Sequence, residues 1–161
     1  MSAMRRILFT AFALAAVAAP AFAATDVAFI GPSGWSHVDN SAGQVDPNRK
    51  IDQWHIAGDV ASVTFIKDSA TPYADALGLI KTNFETNKIK PSQDKDFMCQ
   101  GKTGHVVEFA TGPDGHKIVI NRILVPDGAG VDTITYVRAD GNPFDPDVKK
   151  SETDYCAAAP Q

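Results

Sequence analysis

Tyr73, Leu77, Ile80 and Phe84 recur at steps of four, three and four residues. That spacing lays one apolar stripe along a helix and predicts one over 72–87. Thr71 is placed to cap it, Pro72 suits the first helical position, Asp75 suits the first turn, and the stretch 88–91 ends it. A shorter helix starts at Asp145-Pro146-Asp147, with Val148, Glu152 and Tyr155 on one face and Cys156 beside it. Most other apolar residues come in short runs between turn residues, the pattern of antiparallel strands. Runs over 50–56 and 60–67 flank Ala57-Gly58-Asp59. A tight turn there sets Trp54 beside Val63, Ile56 beside Ala61 and Asp52 beside Phe65. The other face then holds Ile51 with Ile66, Gln53 with Thr64, and His55 with Ser62.

A second meander follows. Gly112-Pro113-Asp114-Gly115 joins runs over 105–110 and 117–125, and a turn over 126–130 leads into a run over 131–139. Symmetric closure of both turns assigns Val107, Phe109, Val119, Ile123, Val125, Val131 and Val137 to one face. The other receives Val106, Glu108, Ile118, Ile120, Arg122, Leu124, Asp132, Ile134, Tyr136 and Arg138. Both faces are largely apolar, and a sheet apolar on both sides is covered on both sides. The expected fold class is therefore α+β, a three-layer α/β/α sandwich around a central, mainly antiparallel sheet.

The N-terminus breaks this pattern. Arg5 and Arg6 precede an apolar stretch over 7–19, then Pro20 and Ala21-Phe22-Ala23. A basic start, a short apolar run and an A-x-A site form a secretory signal peptide over residues 1–23, cut after Ala23. The run is too short for a transmembrane span. No later stretch is long enough, so no stable membrane insertion is expected after cleavage. The arginine pair leaves Sec and twin-arginine export open. Cleavage leaves 161 less 23, or 138 residues, a length that suits one α/β domain over 24–161. The expected location is periplasmic or secreted.

Taken in order, Gly31-Pro32-Ser33-Gly34-Trp35, the strand pair around Trp54, the helix over 72–87, the meander and the C-terminal helix resemble the Mog1/PsbP-like α/β/α sandwich group. The resemblance spans most of the mature chain. It implies the sandwich fold and a non-enzymatic binding role, since members of that group assist a photosynthetic complex or bind a small GTPase.

Export changes the reading of the two cysteines. In an oxidising compartment Cys99 and Cys156 are expected to pair. No C-x-x-C motif is present, so the bond reads as structural. Fifteen basic against nineteen acidic residues give a charge of −4, and −6 once Arg5 and Arg6 are removed. A negative chain lacks the basic surface that nucleic acid requires.

Catalytic motifs do not assemble. Gly31-Pro32-Ser33-Gly34-Trp35 has Trp35 where a nucleophile elbow needs glycine. His37, His55, His105 and His116 lack zinc spacing, so no metal is expected. Lys102 follows Gly101 without a phosphate-binding loop. Asp145, Asp147, Glu152 and Asp154 suit a helix start and a solvated face better than a calcium loop. No catalytic residue and no cofactor are assigned.

One cluster stands out: Glu108, Arg122, Asp132, Tyr136 and Arg138 share a face in the register above. An arginine in a covered sheet needs a partner. Either Glu108 or Asp132 neutralises Arg122, or Arg122 and Arg138 line a cleft for an anionic or carboxylate ligand, walled by Tyr136. The leading functional reading is an exported, non-catalytic binding or accessory protein whose partner is a protein or a small anionic ligand. Two alternatives stand beside it. One is a small secreted hydrolase using Glu108 and Asp132 as cleft carboxylates. The other is an inhibitor of a secreted enzyme, presenting the polar stretch 36–49 as its loop.

Overall fold

A computed structural model describes residues 27–158 apart from 39, 41, 42, 57, 59, 60, 114 and 115. The signal peptide and its cleavage at Ala23 lie outside the described residues. The elements run β1 (Ser36–Val38), β2 (Arg49–His55), β3 (Ser62–Asp68), α1 (Tyr73–Asn87), β4 (Gln93–Cys99), β5 (Lys102–Thr111), β6 (Ile118–Asp127), β7 (Gly130–Ala139) and α2 (Pro146–Ala157). The strands form one sheet in the order β1-β2-β3-β7-β6-β5-β4. Every neighbouring pair is antiparallel. The fold class is α+β: a seven-stranded antiparallel sheet with two helices.

The β2–β3 hairpin has the expected register, with Trp54 opposite Val63, Asp52 opposite Phe65, Ile51 opposite Ile66, Gln53 opposite Thr64 and His55 opposite Ser62. The chain then passes through α1 to the far edge of the sheet and returns strand by strand until β7 pairs with β3. Strands β1 and β4 were not anticipated. β4 runs from four polar residues, Gln93 to Asp96, into Phe97, Met98 and Cys99, and its Asp94, Lys95 and Asp96 are charges that discourage another chain from adding to this edge. Asp94 and Asp96 reach His105 on the neighbouring strand, each at 2.6 Å, one on either ring nitrogen.

The second meander differs from expectation by one residue on each side of β6. Phe109 lies opposite Ile120, and Val125 opposite Asp132. The β6–β7 turn is the two residues Gly128 and Ala129, because Asp127 already pairs with Gly130. Gly128 has φ +56° at the first central position, as a type II′ hairpin turn requires. A turn centred on Gly128 is therefore the wrong geometry, and the slip turns every β6 side chain over. Ile120, Arg122 and Leu124 join Val107, Phe109, Val131 and Val137. Val119, Ile123 and Val125 join Val106, Glu108, Asp132, Ile134, Tyr136 and Arg138.

The two helices meet different sets of these residues. Val148 and Tyr155 of α2 lie in a cluster with Phe29, Val63, Phe65, Val106, Ile123, Val125, Ile134 and Tyr136. Phe29 stacks on Phe65 at 5.5 Å, and Tyr155 meets both rings edge-on. Gly31 lies so close to the Trp54 ring that a Cβ there would come within 2.2 Å of it, which fixes glycine at that position. Asp145 caps α2 as anticipated, accepting from the Asp147 and Val148 amides at 2.8 and 3.3 Å. Its other end is held by the β4–β5 turn. Cys99 is disulfide-bonded to Cys156. The Gln100 backbone N–H donates to the Cys156 carbonyl at 2.8 Å, and its side-chain amide to the Tyr155 carbonyl at 3.1 Å. These bonds satisfy carbonyls that a helix end leaves open. Gln100 and Gly101 both have positive φ, as a type I′ turn needs.

Helix α1 starts one residue later than anticipated. Pro72 occupies the cap position without a side-chain cap, while the Thr71 hydroxyl donates to Asp68. Its C-terminus closes with Lys88 in the left-handed region and Ile89 N–H bonded to the Phe84 carbonyl. Phe84 is its single buried residue, meeting Phe109 edge-on at 5.0 Å. Tyr73, Leu77 and Ile80 are half-buried.

Candidate functional site

The five sequence candidates divide into three places. Glu108, Tyr136 and Arg138 come together on one side of the sheet. Arg138 Nη2 donates to Glu108 Oε2 at 3.1 Å and its Nε to the Asn142 carbonyl at 3.1 Å. The guanidinium lies 5.6 Å from the Tyr136 ring centroid and 5.3 Å from that of Phe144. Glu108 also accepts from the Ser92 hydroxyl. This Arg138 is paired, stacked and only 8% exposed; it is built as structure. Glu152 of α2 feels the same guanidinium, yet burial dominates and pushes its carboxyl up to about 7. Its Oε1, Asn121 Oδ1 and Arg138 Nη1 are buried without a hydrogen-bond partner.

Asp132 is on the same side but toward the other end of β7. It accepts the Tyr155 hydroxyl, and burial raises its carboxyl above the usual range. Burial, and then the same bond, raise the Tyr155 phenol. Strand rise and spacing place Glu108 and Asp132 about 16 Å apart. Glycosidase carboxylates stand closer, at roughly 5–9.5 Å. The structure does not bring the two together as a catalytic pair.

Arg122 is the correction. The turned-over β6 places it on the opposite side from Glu108, Asp132, Tyr136 and Arg138, so neither carboxylate neutralises it. The two arginines therefore line no common cleft, and Tyr136 walls none for Arg122. Its Nε donates to Thr135 Oγ1 at 3.1 Å, and Thr135 is directly opposite on β7. Among the described residues that is its only side-chain partner. Burial alone lowers its pKa from the ordinary arginine value.

Arg122 lines a cleft of about 520 Å³ between α1 and the sheet. Ile66, Leu124, Phe109 and Val131 from the strands, and Ala76, Leu79, Ile80 and Phe84 from the helix, make it mostly apolar. Thr71, Thr133, Thr135 and Asn83 add neutral polar groups. Arg49 and Asp68 also line it and pair with each other, with Nη2 to Oδ2 at 2.7 Å. Asp68 accepts the Ala70 and Thr71 amides and the Thr71 hydroxyl as well. The Arg49 hydrogen bond leads these effects and holds the Asp68 carboxyl at about 2. The Asp68 backbone is braced against Gly130, where a Cβ would come within 2.1 Å of the Asp68 carbonyl oxygen.

Arg49, Asp68, Thr133 and Thr135 were not singled out by the sequence reading, and Thr71 was read only as a helix cap. Their signal was spacing by two, which puts Ile66 with Asp68 and Thr133 with Thr135 on one face. The stretch 36–49 is partly strand β1, and the described residues from 43 to 48 are exposed.

No family model and no curated protein matches the chain. The fold is similar to the crystal structure of PA94 from Pseudomonas aeruginosa, a protein of unknown function. The two share 14% identity and a TM-score of 0.51, over 73% of this chain and 88% of that one. At that identity the likeness speaks for the fold alone. Among the described residues no helix is long and apolar enough to cross a membrane, and no group of His, Cys, Asp and Glu side chains could hold a metal ion.

Proposed function

We propose that this is an exported, non-catalytic binding protein that holds a small anionic ligand in the cleft between α1 and the sheet. The observation behind the reading is Arg122: a half-buried guanidinium with no carboxylate partner among the described residues, set in a mostly apolar cleft. An arginine desolvated in this way is costly unless a negative group completes it. The volume falls within the range of small-molecule sites.

Export and fold class belong to the same proposal. The signal pattern ending at Ala23 and the Cys99–Cys156 bond support a periplasmic or secreted location. Supporting a three-layer α/β/α sandwich and kinship with the Mog1/PsbP-like group, α1 and α2 contact residues that alternate along the same strands.

Native mass spectrometry of protein purified from the exported fraction, with and without reduction, tests the proposal. The expected species has lost residues 1–23, has lost two hydrogens to the disulfide, and retains an acidic small molecule that Arg122→Met releases. Full-length protein with free thiols would overturn the export reading. A bare mass that stays bare after incubation with the acidic metabolite fraction would overturn the ligand reading.

A further inference from the structure

We infer that the α1 cleft selects a hydrophobic monocarboxylate: one carboxylate on Arg122 and an apolar body along α1. The inference rests on the reading of that cleft as a binding site and names what it takes.

The charge follows from what lines the cleft. Its ionisable side chains are Arg49, Asp68 and Arg122. Arg49 and Asp68 cancel each other through their ion pair. One positive charge remains, on Arg122, so the cleft neutralises a monoanion. A dianion such as a phosphate monoester would leave one charge uncompensated in an apolar site. A zwitterion or cation would meet the guanidinium with a like charge.

The headgroup follows from the guanidinium's orientation. Thr135 holds Nε, which leaves the two terminal nitrogens as an end-on fork. Two parallel N–H donors match the two oxygens of a carboxylate. The Thr133 hydroxyl, two residues along β7 and lining the same cleft, is available to an oxygen of the headgroup.

The body of the ligand follows from the walls. Eight apolar side chains, Phe84 and Phe109 among them, line the remainder. Leu79 is 69% exposed on α1 and yet borders the cleft, so an apolar ligand would give it a partner it lacks. On the side of the sheet under α2 a smaller cleft of about 200 Å³ is lined by Arg138, Tyr136 and Phe144, but Arg138 there is already bound to Glu108 and lies against both rings.

Isothermal titration calorimetry of the oxidised protein with four twelve-carbon probes tests this: dodecanoate, dodecanol, dodecyl phosphate and dodecylamine, each below its micelle concentration. Dodecanoate is expected to bind at one site at least tenfold more tightly than the other three. Arg122→Met is expected to cost dodecanoate at least tenfold while leaving dodecanol unchanged. Where Arg122→Met fails to fold, Thr135→Val, which removes only the Nε acceptor, is expected to weaken dodecanoate about threefold while leaving dodecanol unchanged, and an equal effect on both probes would overturn the assignment. Equal binding of dodecanol and dodecanoate, or tighter binding of the phosphate, would overturn the monocarboxylate assignment and leave the cleft as a binding site. Failure of all four probes to bind would overturn the cleft reading itself.

Discussion

Helix α2 buries Val148, Ser151 and Tyr155, is capped by Asp145, and is tied at its far end by a disulfide and two hydrogen bonds to the β4–β5 turn. Helix α1 is longer but buries Phe84 alone, and a cleft runs beneath it. The two rest on the same sheet, and the difference lies in what each faces. Under α2 the strands present Val63, Phe65, Ile123, Val125 and Ile134, which close-pack. Under α1 they present Arg122, Thr133 and Thr135 among the apolar residues, and a helix cannot seat tightly on a charged side chain without a partner for it. One side is closely packed; the other leaves a cleft of about 520 Å³.

The largest expected effect is on the pinned side. Replacing Cys99 and Cys156 together by Ala frees a loop spanning 57 residues and should cost about 4 kcal/mol in the chain-entropy account. Urea unfolding of the double variant reads this. A loss below about 1 kcal/mol would remove the disulfide from the comparison.

Truncation on the two sides sharpens it further. Ile134→Ala, in the packed cluster, should cost about 3 kcal/mol. Ile80→Ala, on the half-buried stripe of α1, should cost about 1 kcal/mol. Equal losses would mean that the two sides are packed alike.

Glu152 introduces pH. Its folded pKa of about 7 lies above the ordinary carboxyl value, so the native state holds its proton more tightly than the unfolded chain. Stability from this group is present below the unfolded value of 4.5 and falls as pH rises to about 7. The decline should be roughly 3 kcal/mol. Glu152→Gln should abolish it and raise the thermal midpoint at pH 8. An unchanged pH profile in that variant would show that the carboxyl is not held in the interior.

The smallest effect is at the cleft. Asp68 has a depressed pKa, so its contribution is complete above the unfolded value near 3.8 and is lost as pH falls through about 2. Arg49 is half exposed, and solvent screens the pair. Arg49→Met should therefore change stability by less than about 1 kcal/mol at pH 7 and make the loss of stability between about pH 4 and pH 2 shallower, because Asp68 then titrates nearer its unfolded value, read by circular dichroism. A large loss at neutral pH would assign the pair to the core.

Much of this was legible in the chain. The β2–β3 register followed from a tight turn after His55. The Asp145 cap, the Cys99–Cys156 bond and the face of α2 that bears Val148 and Tyr155 followed from local chemistry. Strand β4 was not legible, because Gln93, Asp94, Lys95 and Asp96 read as loop and become strand only by pairing with β5. The site was misread for a related reason. Pro126 and Asp127 look like turn residues but extend β6, and one residue of register decides which side Arg122 faces. Arg122 was expected among Glu108, Asp132, Tyr136 and Arg138, and the register sets it on the opposite side from all four.

Hydrogen exchange followed by mass spectrometry, with and without dodecanoate, tests the central claim most directly: that the α2 side maintains the fold and the α1 side binds. Without ligand, amides over 73–87 are expected to exchange faster than those over 146–157 and in β3, β6 and β7. With dodecanoate, protection should rise over 73–87 and around Arg122 and Thr135, and stay unchanged in α2. Protection of α1 equal to that of α2 from the outset, or a ligand effect confined to α2, would contradict it.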